Sequence, residues 1–231
     1  MAKKKRKRNV EPENKLNKNL LYAAIAVVAV IVIALIWSFL GSPPEVQEEK
    51  LPPSGKPFII PGAPSTYEPG KVKIIEYFKF NCDHCDDLNQ RMPELEEKYG
   101  DQIEVSYRPM LWTNDQKMRK SNEAYIIAEI MGKGDEMKNA LFDAYKNGND
   151  LSDVAVLEDI ASSVGLGDDF ATALENGDAR DEAQKYINEA QPLVFYTPTV
   201  IINGNMKVDT STRSVDQMVD ILDTIIDELL S

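Results

Sequence analysis

The 231-residue chain predicts an α/β domain carrying a helical insertion, preceded by one transmembrane helix. Three observations predict it. Residues 20–40 form an uncharged apolar stretch; residues 72–107 read strand, helix, strand; and a long block of helical periodicity separates that unit from a late, proline-led hairpin.

The first nineteen residues hold eight Lys/Arg and two acidic side chains, with residues 3–8 all basic. The 21 residues that follow carry no charge. At about 1.5 Å per residue they make a helix of roughly 31 Å, matching a bilayer core of about 30 Å. A cleaved signal peptide would have a shorter apolar region and a small-x-small site after it. Trp37-Ser38-Phe39-Leu40-Gly41-Ser42 does not supply one, so the stretch is read as an uncleaved anchor. The basic run then orients it, with 1–19 a cytoplasmic tail and the rest extracytoplasmic at the cell membrane. Beyond residue 19 the chain has 18 basic against 36 acidic side chains, a net of −18. Such a charge excludes nucleic acid as a partner.

Residues 41–70, rich in Pro with Gly, Ser and Glu, are expected to be an extended tether, with a short edge strand at 58–60. A domain of some 160 residues then runs over 71–231, enough for a single core. Residues 72–80, β-branched and aromatic, predict a strand. Residues 83–99 predict a helix, with acids in the first turn, Lys98 near the end and Gly100 beyond it; Pro93 should kink it. Alternation over 102–107 predicts a second strand, hence a right-handed parallel crossover. Helices are expected at 122–131, 136–146, 154–164 and 179–190, in an insertion spanning about 112–193. Met131, Phe142 and Tyr145 within it are read as core. Pro198 leads an apolar strand into an Asn203-Gly204 turn and a short return strand at 206–208. A final helix, 214–230, opens with a capping box, Ser214 and Gln217.

The chemistry is concentrated in one window. The chain's two cysteines and its single histidine all lie in Cys82-Asp83-His84-Cys85. A Cys-x-x-Cys pair can close a small disulfide or supply half of a tetrahedral zinc site, and zinc here would need carboxylates or a second chain to complete four ligands. Cys82 falls at a strand-to-helix junction, where unpaired N–H groups and the helix dipole stabilise a thiolate. His84 can donate to the same sulfur. Alternation along the strand puts Glu76 on the apolar row of Val72, Ile74, Phe78 and Phe80, where desolvation would raise its pKa.

With Glu76-Tyr77-Phe78 before it, this site resembles the DsbA-like branch of the thioredoxin superfamily, whose sites read Cys-x-His-Cys after a Glu-Phe-Phe strand. Thr197-Pro198-Thr199 followed by an apolar strand likewise resembles that family's cis-proline segment. The resemblance covers about residues 57–231 and implies a thioredoxin-like fold with a helical insertion and a redox-active Cys82–Cys85 disulfide. It further implies Cys82 as the exchange cysteine, Cys85 as the resolving one, His84 as support for the thiolate and Glu76 as a buried proton exchanger. Thr197 and Pro198 would bind an extended substrate segment, and reoxidation would come from a quinone-linked membrane protein. No cofactor or metal is implied. One departure matters: Asp83 stands where members often have proline, and its carboxylate, with those of Asp86 and Asp87 adding to it, should make the pair less oxidising. Asn81 replaces the Trp that precedes the first cysteine in thioredoxin proper and in cytochrome-maturation reductases.

The expected function is therefore a membrane-tethered, extracytoplasmic enzyme that introduces disulfides into exported proteins. An isomerase or reductase of the same fold is the nearest alternative, because the same exchange runs either way with potential and partner. Further off stand a dimer bridged by metal or an iron–sulfur cluster, and a tethered chaperone with no redox role.

Overall fold

Residues 72–78 alternate between two buried environments, which fixes them as an interior strand of a sheet covered on both faces. The computed structural model describes residues 57–112, 116–208 and 210–231, together with Tyr22 and Val27, both helical. The chain divides into two units, Met1–Lys50 and Leu51–Ser231, and the sheet with its covering helices belongs to the second. Apart from Tyr22 and Val27, the expected tail and spanning stretch lie outside the described residues, as does the tether up to residue 56. Among the described residues no helix is long and apolar enough to cross a membrane.

In chain order the elements are β1 (Phe58–Ile59), β2 (Val72–Phe78), α1 (Asp83–Tyr99), β3 (Ile103–Pro109), α2 (Arg119–Ile130), α3 (Gly134–Lys146), α4 (Val154–Ser163), α5 (Asp168–Asn176), α6 (Arg180–Ala190), β4 (Thr199–Ile202), β5 (Met206–Val208) and α7 (Val215–Leu230). Five strands form one sheet in the order β1-β5-β4-β2-β3. Only the β2–β3 pair is parallel, through α1, with Glu76 opposite Tyr107; β4 lies antiparallel on the other side of β2, with Glu76 opposite Val200. This is the crossover the sequence predicts.

The larger core joins Val72, Ile74 and Phe78 of β2 to Leu88 and Met92 of α1, Leu222 and Ile226 of α7, and the insertion helices. On the opposite face Tyr77 packs with Ile60, Met110, Val194 and Ile201. An aromatic cluster ties the insertion to the sheet: Phe78 meets Tyr125 of α2 and Phe142 of α3, each at 5.8 Å between ring centroids.

Several boundaries differ from expectation. A helix at Asp168–Asn176 stands where the sequence suggests only a break between helices, and α2 begins at Arg119, a turn earlier than expected. Strand β2 stops at Phe78, although Phe80 is still buried at the edge of the core. The helix α1 continues through Pro93, which lies on its exposed side. Of the three insertion residues read as core, Phe142 is buried, but Met131 and Tyr145 are each 38% exposed, because the chain turns out to solvent at the ends of α2 and α3.

Candidate active site

The site is assembled where three segments meet: the end of β2, the start of α1, and the loop entering β4. Cys82 is the N-cap of α1 in extended conformation and offers no side-chain cap, so its carbonyl accepts from the Cys85 and Asp86 amides at 3.0 and 3.2 Å. Its sulfur is thus held beside the helix N-terminus, where partial positive charge favours the thiolate. Cys82 and Cys85 are joined in a disulfide with Cα atoms 5.3 Å apart. Cys82 is partly exposed and Cys85 fully buried. An incoming nucleophile therefore has access to one sulfur, that of Cys82.

Facing it across the site, the Thr197–Pro198 peptide bond is cis. Thr197 Oγ1 donates to Cys82 Sγ at 3.4 Å, and the Thr197 carbonyl lies 3.4 Å from the same sulfur. In the disulfide that sulfur carries no proton; once reduced, the Cys82 thiol can donate to this carbonyl. The loop is pinned from behind, since Thr210 Oγ1 donates to the Pro198 carbonyl and Thr199 Oγ1 to the Tyr196 carbonyl at 2.7 Å. Phe195, 60% exposed, stands just before it.

His84 is exposed on the first turn of α1, and among the described residues no hydrogen bond joins it to either sulfur. Glu76 is 2% exposed, and its Oε2 is buried without a hydrogen-bond partner. Burial pushes its carboxyl up to about 7, with Glu96 adding to the rise and Lys138 of α3 opposing it. Lys138 is itself nearly buried, lies over the Tyr107 ring and pairs with Asp135 at 3.3 Å, and burial holds its pKa down. Tyr107 donates to Glu96 at 2.7 Å. Tyr107, Glu96, Glu129 and Asp135 also line a cavity of about 310 Å³.

Six of the residues singled out from sequence thus fall in two places. Cys82, Cys85, His84, Thr197 and Pro198 surround the disulfide, and Glu76 sits on the buried face of β2, the face that packs with Cys85 in the larger core. Sequence reasoning missed Lys138 and Thr210, and it counted Asp86 as one more charge opposing the thiolate without seeing its partner on α3. Asp86 follows Cys85, is 2% exposed and forms an ion pair with Lys146 of α3. Nothing local marks these lysines, since in a helical pattern each looks like a solvated charge.

A fold in which a helix-capping disulfide faces a cis-proline loop defines a class. Residues 67–224 match the family described as Thioredoxin, and the chain belongs to that family. Within it the fold and the cysteine pair are those of a DsbA-like thiol–disulfide oxidoreductase. The chain is 24% identical over 180 residues to the thiol:disulfide interchange protein DsbA of Pseudomonas syringae pv. tomato, covering 76% of this chain and 83% of that one. It is 22% identical over 187 residues to the protein of the same name from Burkholderia cepacia, covering 77% and 86%. Among solved structures, Pseudomonas aeruginosa DsbA superposes with a TM-score of 0.64 at 21% identity, covering 76% of this chain and 93% of that one. The oxidoreductase NmDsbA1 of N. meningitidis gives 0.64 at 18%, covering 78% and 93%.

Proposed function

We propose that this protein is a membrane-tethered, extracytoplasmic oxidase that introduces disulfides into exported proteins through Cys82 and Cys85. The observation that carries the reading is the asymmetric disulfide at the N-terminus of α1, with Cys82 partly exposed against Thr197 and Cys85 buried. A substrate thiolate attacks Cys82 Sγ, the Cys82–Cys85 bond breaks, and Cys85 leaves as a thiolate. Glu76, which holds a proton near neutral pH, is the group assigned to protonate it. A second substrate thiolate then attacks the substrate sulfur of the mixed disulfide. Cys82 departs as a thiolate stabilised by the helix N-terminus, the substrate gains a disulfide, and the protein holds two electrons more. Thr197 and Pro198 support an extended substrate segment laid across the site, in the manner of strand addition. Residues 20–40 supply the membrane anchor and residues 41–70 the tether, and a quinone-linked membrane protein is the proposed reoxidant.

The deciding measurement is the reduction potential of the Cys82–Cys85 couple, equilibrated against glutathione. An oxidase requires a value nearer about −120 mV than about −270 mV; a value at or below the latter reverses the direction to reductase. A Cys85→Ser variant should accumulate a mixed disulfide with a disulfide-bonded peptide, its Cys82 thiolate attacking the peptide S–S bond and releasing one peptide thiol with no Cys85 left to resolve the product, whereas Cys82→Ser should accumulate none. Asp83→Pro should raise the potential, and an unchanged value would refute the assigned effect of that carboxylate. Protease protection of the first nineteen residues in intact cells, with 71–231 cleaved from outside, tests the anchor and its orientation.

A further inference from the structure

The helix α3 belongs to the insertion, yet one of its faces is directed at the redox unit. Lys138, Asn139, Phe142 and Lys146 recur at three- and four-residue spacing and so share a side. Lys138 covers Tyr107, Asn139 accepts from Asn89 Nδ2 at 2.6 Å, Phe142 packs on Phe78 and Phe80, and Lys146 reaches Asp86. Three of these contacts are packing or orientation. The last places a cation on a carboxylate adjacent to the resolving cysteine.

Asp86 lies in the first turns of α1, its amide bonded to the Cys82 carbonyl at 3.2 Å. Its side chain is 2% exposed, whereas that of Lys146 is 50% exposed. Gln90 Nε2 donates to Asp86 Oδ1 at 3.3 Å. Other charges near the pair are Asp87 on α1 and Asp143 on α3, both acting on Lys146. Asp83 and His84 complete the ionisable groups of that turn. A buried carboxylate near a helix N-terminus is stabilised by the helix dipole and competes with a cysteine thiolate for the same field. Whether it acts on Cys82 as a net charge depends on its counter-ion.

We infer that Lys146 is a positioning residue for thiol–disulfide exchange: by pairing with buried Asp86 it neutralises the carboxylate next to Cys85 and keeps the Cys82 thiolate, and with it the oxidising power of the disulfide, from being lost. This rests on the reading of Cys82 as the exchange cysteine. The relevant equilibrium is protein disulfide plus two glutathione thiols giving protein dithiol plus glutathione disulfide. Negative charge beside Cys82 raises the free energy of the reduced side alone.

The test is that equilibrium and the thiolate titration of Cys82, followed by ultraviolet absorbance, in the wild type, Lys146→Met, Asp86→Asn and the double variant. Lys146→Met is expected to lower the equilibrium constant about threefold, or about 14 mV at roughly 30 mV per tenfold, and to raise the Cys82 pKa. Asp86→Asn should move both quantities the opposite way. The double variant should lie between the two and close to wild type, since it removes both charges. A purely structural ion pair predicts something else: Lys146→Met less stable to denaturant, with potential and thiolate pKa unchanged, and that result overturns the inference. Should Lys146→Met fold too poorly to titrate, Asp86→Asn alone decides, an unchanged potential again being fatal. If the wild-type pair does not equilibrate with glutathione at all, the exchange reading falls with it.

Discussion

Glu76 is a carboxyl kept protonated by its surroundings, and this carries a sign. In the native state burial raises its pKa from 4.5 to about 7. The folded protein therefore holds a proton that the unfolded chain has released, and stability falls as pH rises from about 4.5 through about 7. Fully expressed, the loss is about 3 kcal/mol. Glu76→Gln cannot ionise, so its melting temperature should be flat across that window and exceed wild type at pH 8; parallel profiles would refute the assignment. Lys138→Met removes the cation that favours the charged form and should carry the fall to higher pH. The carboxyl's burial was legible in the sequence, because period-two alternation alone puts Glu76 among Val72, Ile74 and Phe78. Lys138 and Lys146 were not. Their roles arise from which acids the insertion brings them to, and an isolated helix pattern holds no record of that.

Among the elements, those whose signals are local were read well. The strand–helix–strand unit is written in β-branched residues and in helix start and stop signals, and Ser214 with Gln217 forms the expected reciprocal capping box on α7. The helix α5 was missed for the converse reason. Its nine residues lie between Gly167 and Gly177 and include three acids, so only Phe170 and Leu174 announce its buried side. The β4–β5 hairpin shows how much one turn can hold. Asn203 and Gly204 both have positive φ, and Asn203 Oδ1 accepts the Lys73 amide at 2.9 Å, tying the turn to β2. A Cβ on Gly204 would meet the Pro64 carbonyl at 3.0 Å, in a conformation already unfavourable to an L side chain. Gly204→Ala should cost on the order of 1–2 kcal/mol. It should also loosen residues 57–70, seen as faster exchange of the Ile60 and Thr66 amides, which donate to Asn205 and Asn203.

For the molecule as a whole, the insertion and the redox unit share one core. Phe78, Phe80, Tyr125 and Phe142 come from the sheet end, α2 and α3, and all are buried. Phe142→Ala should cost about 3–5 kcal/mol, and unfolding by denaturant should remain a single transition reported alike by far-ultraviolet dichroism and aromatic fluorescence. Separate transitions would mean two independent folding units. The acidic balance, the crossover and the hairpin were legible at this scale, because each follows from pattern and composition; the packing of α3 onto the active-site helix was not, because it joins residues about fifty positions apart. The molecule also contains a single imidazole, and it sits exposed on the active-site helix one position before Cys85. Its two ring-proton lines stand alone in a nuclear magnetic resonance spectrum. They give the redox state of the neighbouring pair a built-in spectroscopic probe, readable in unlabelled protein during turnover.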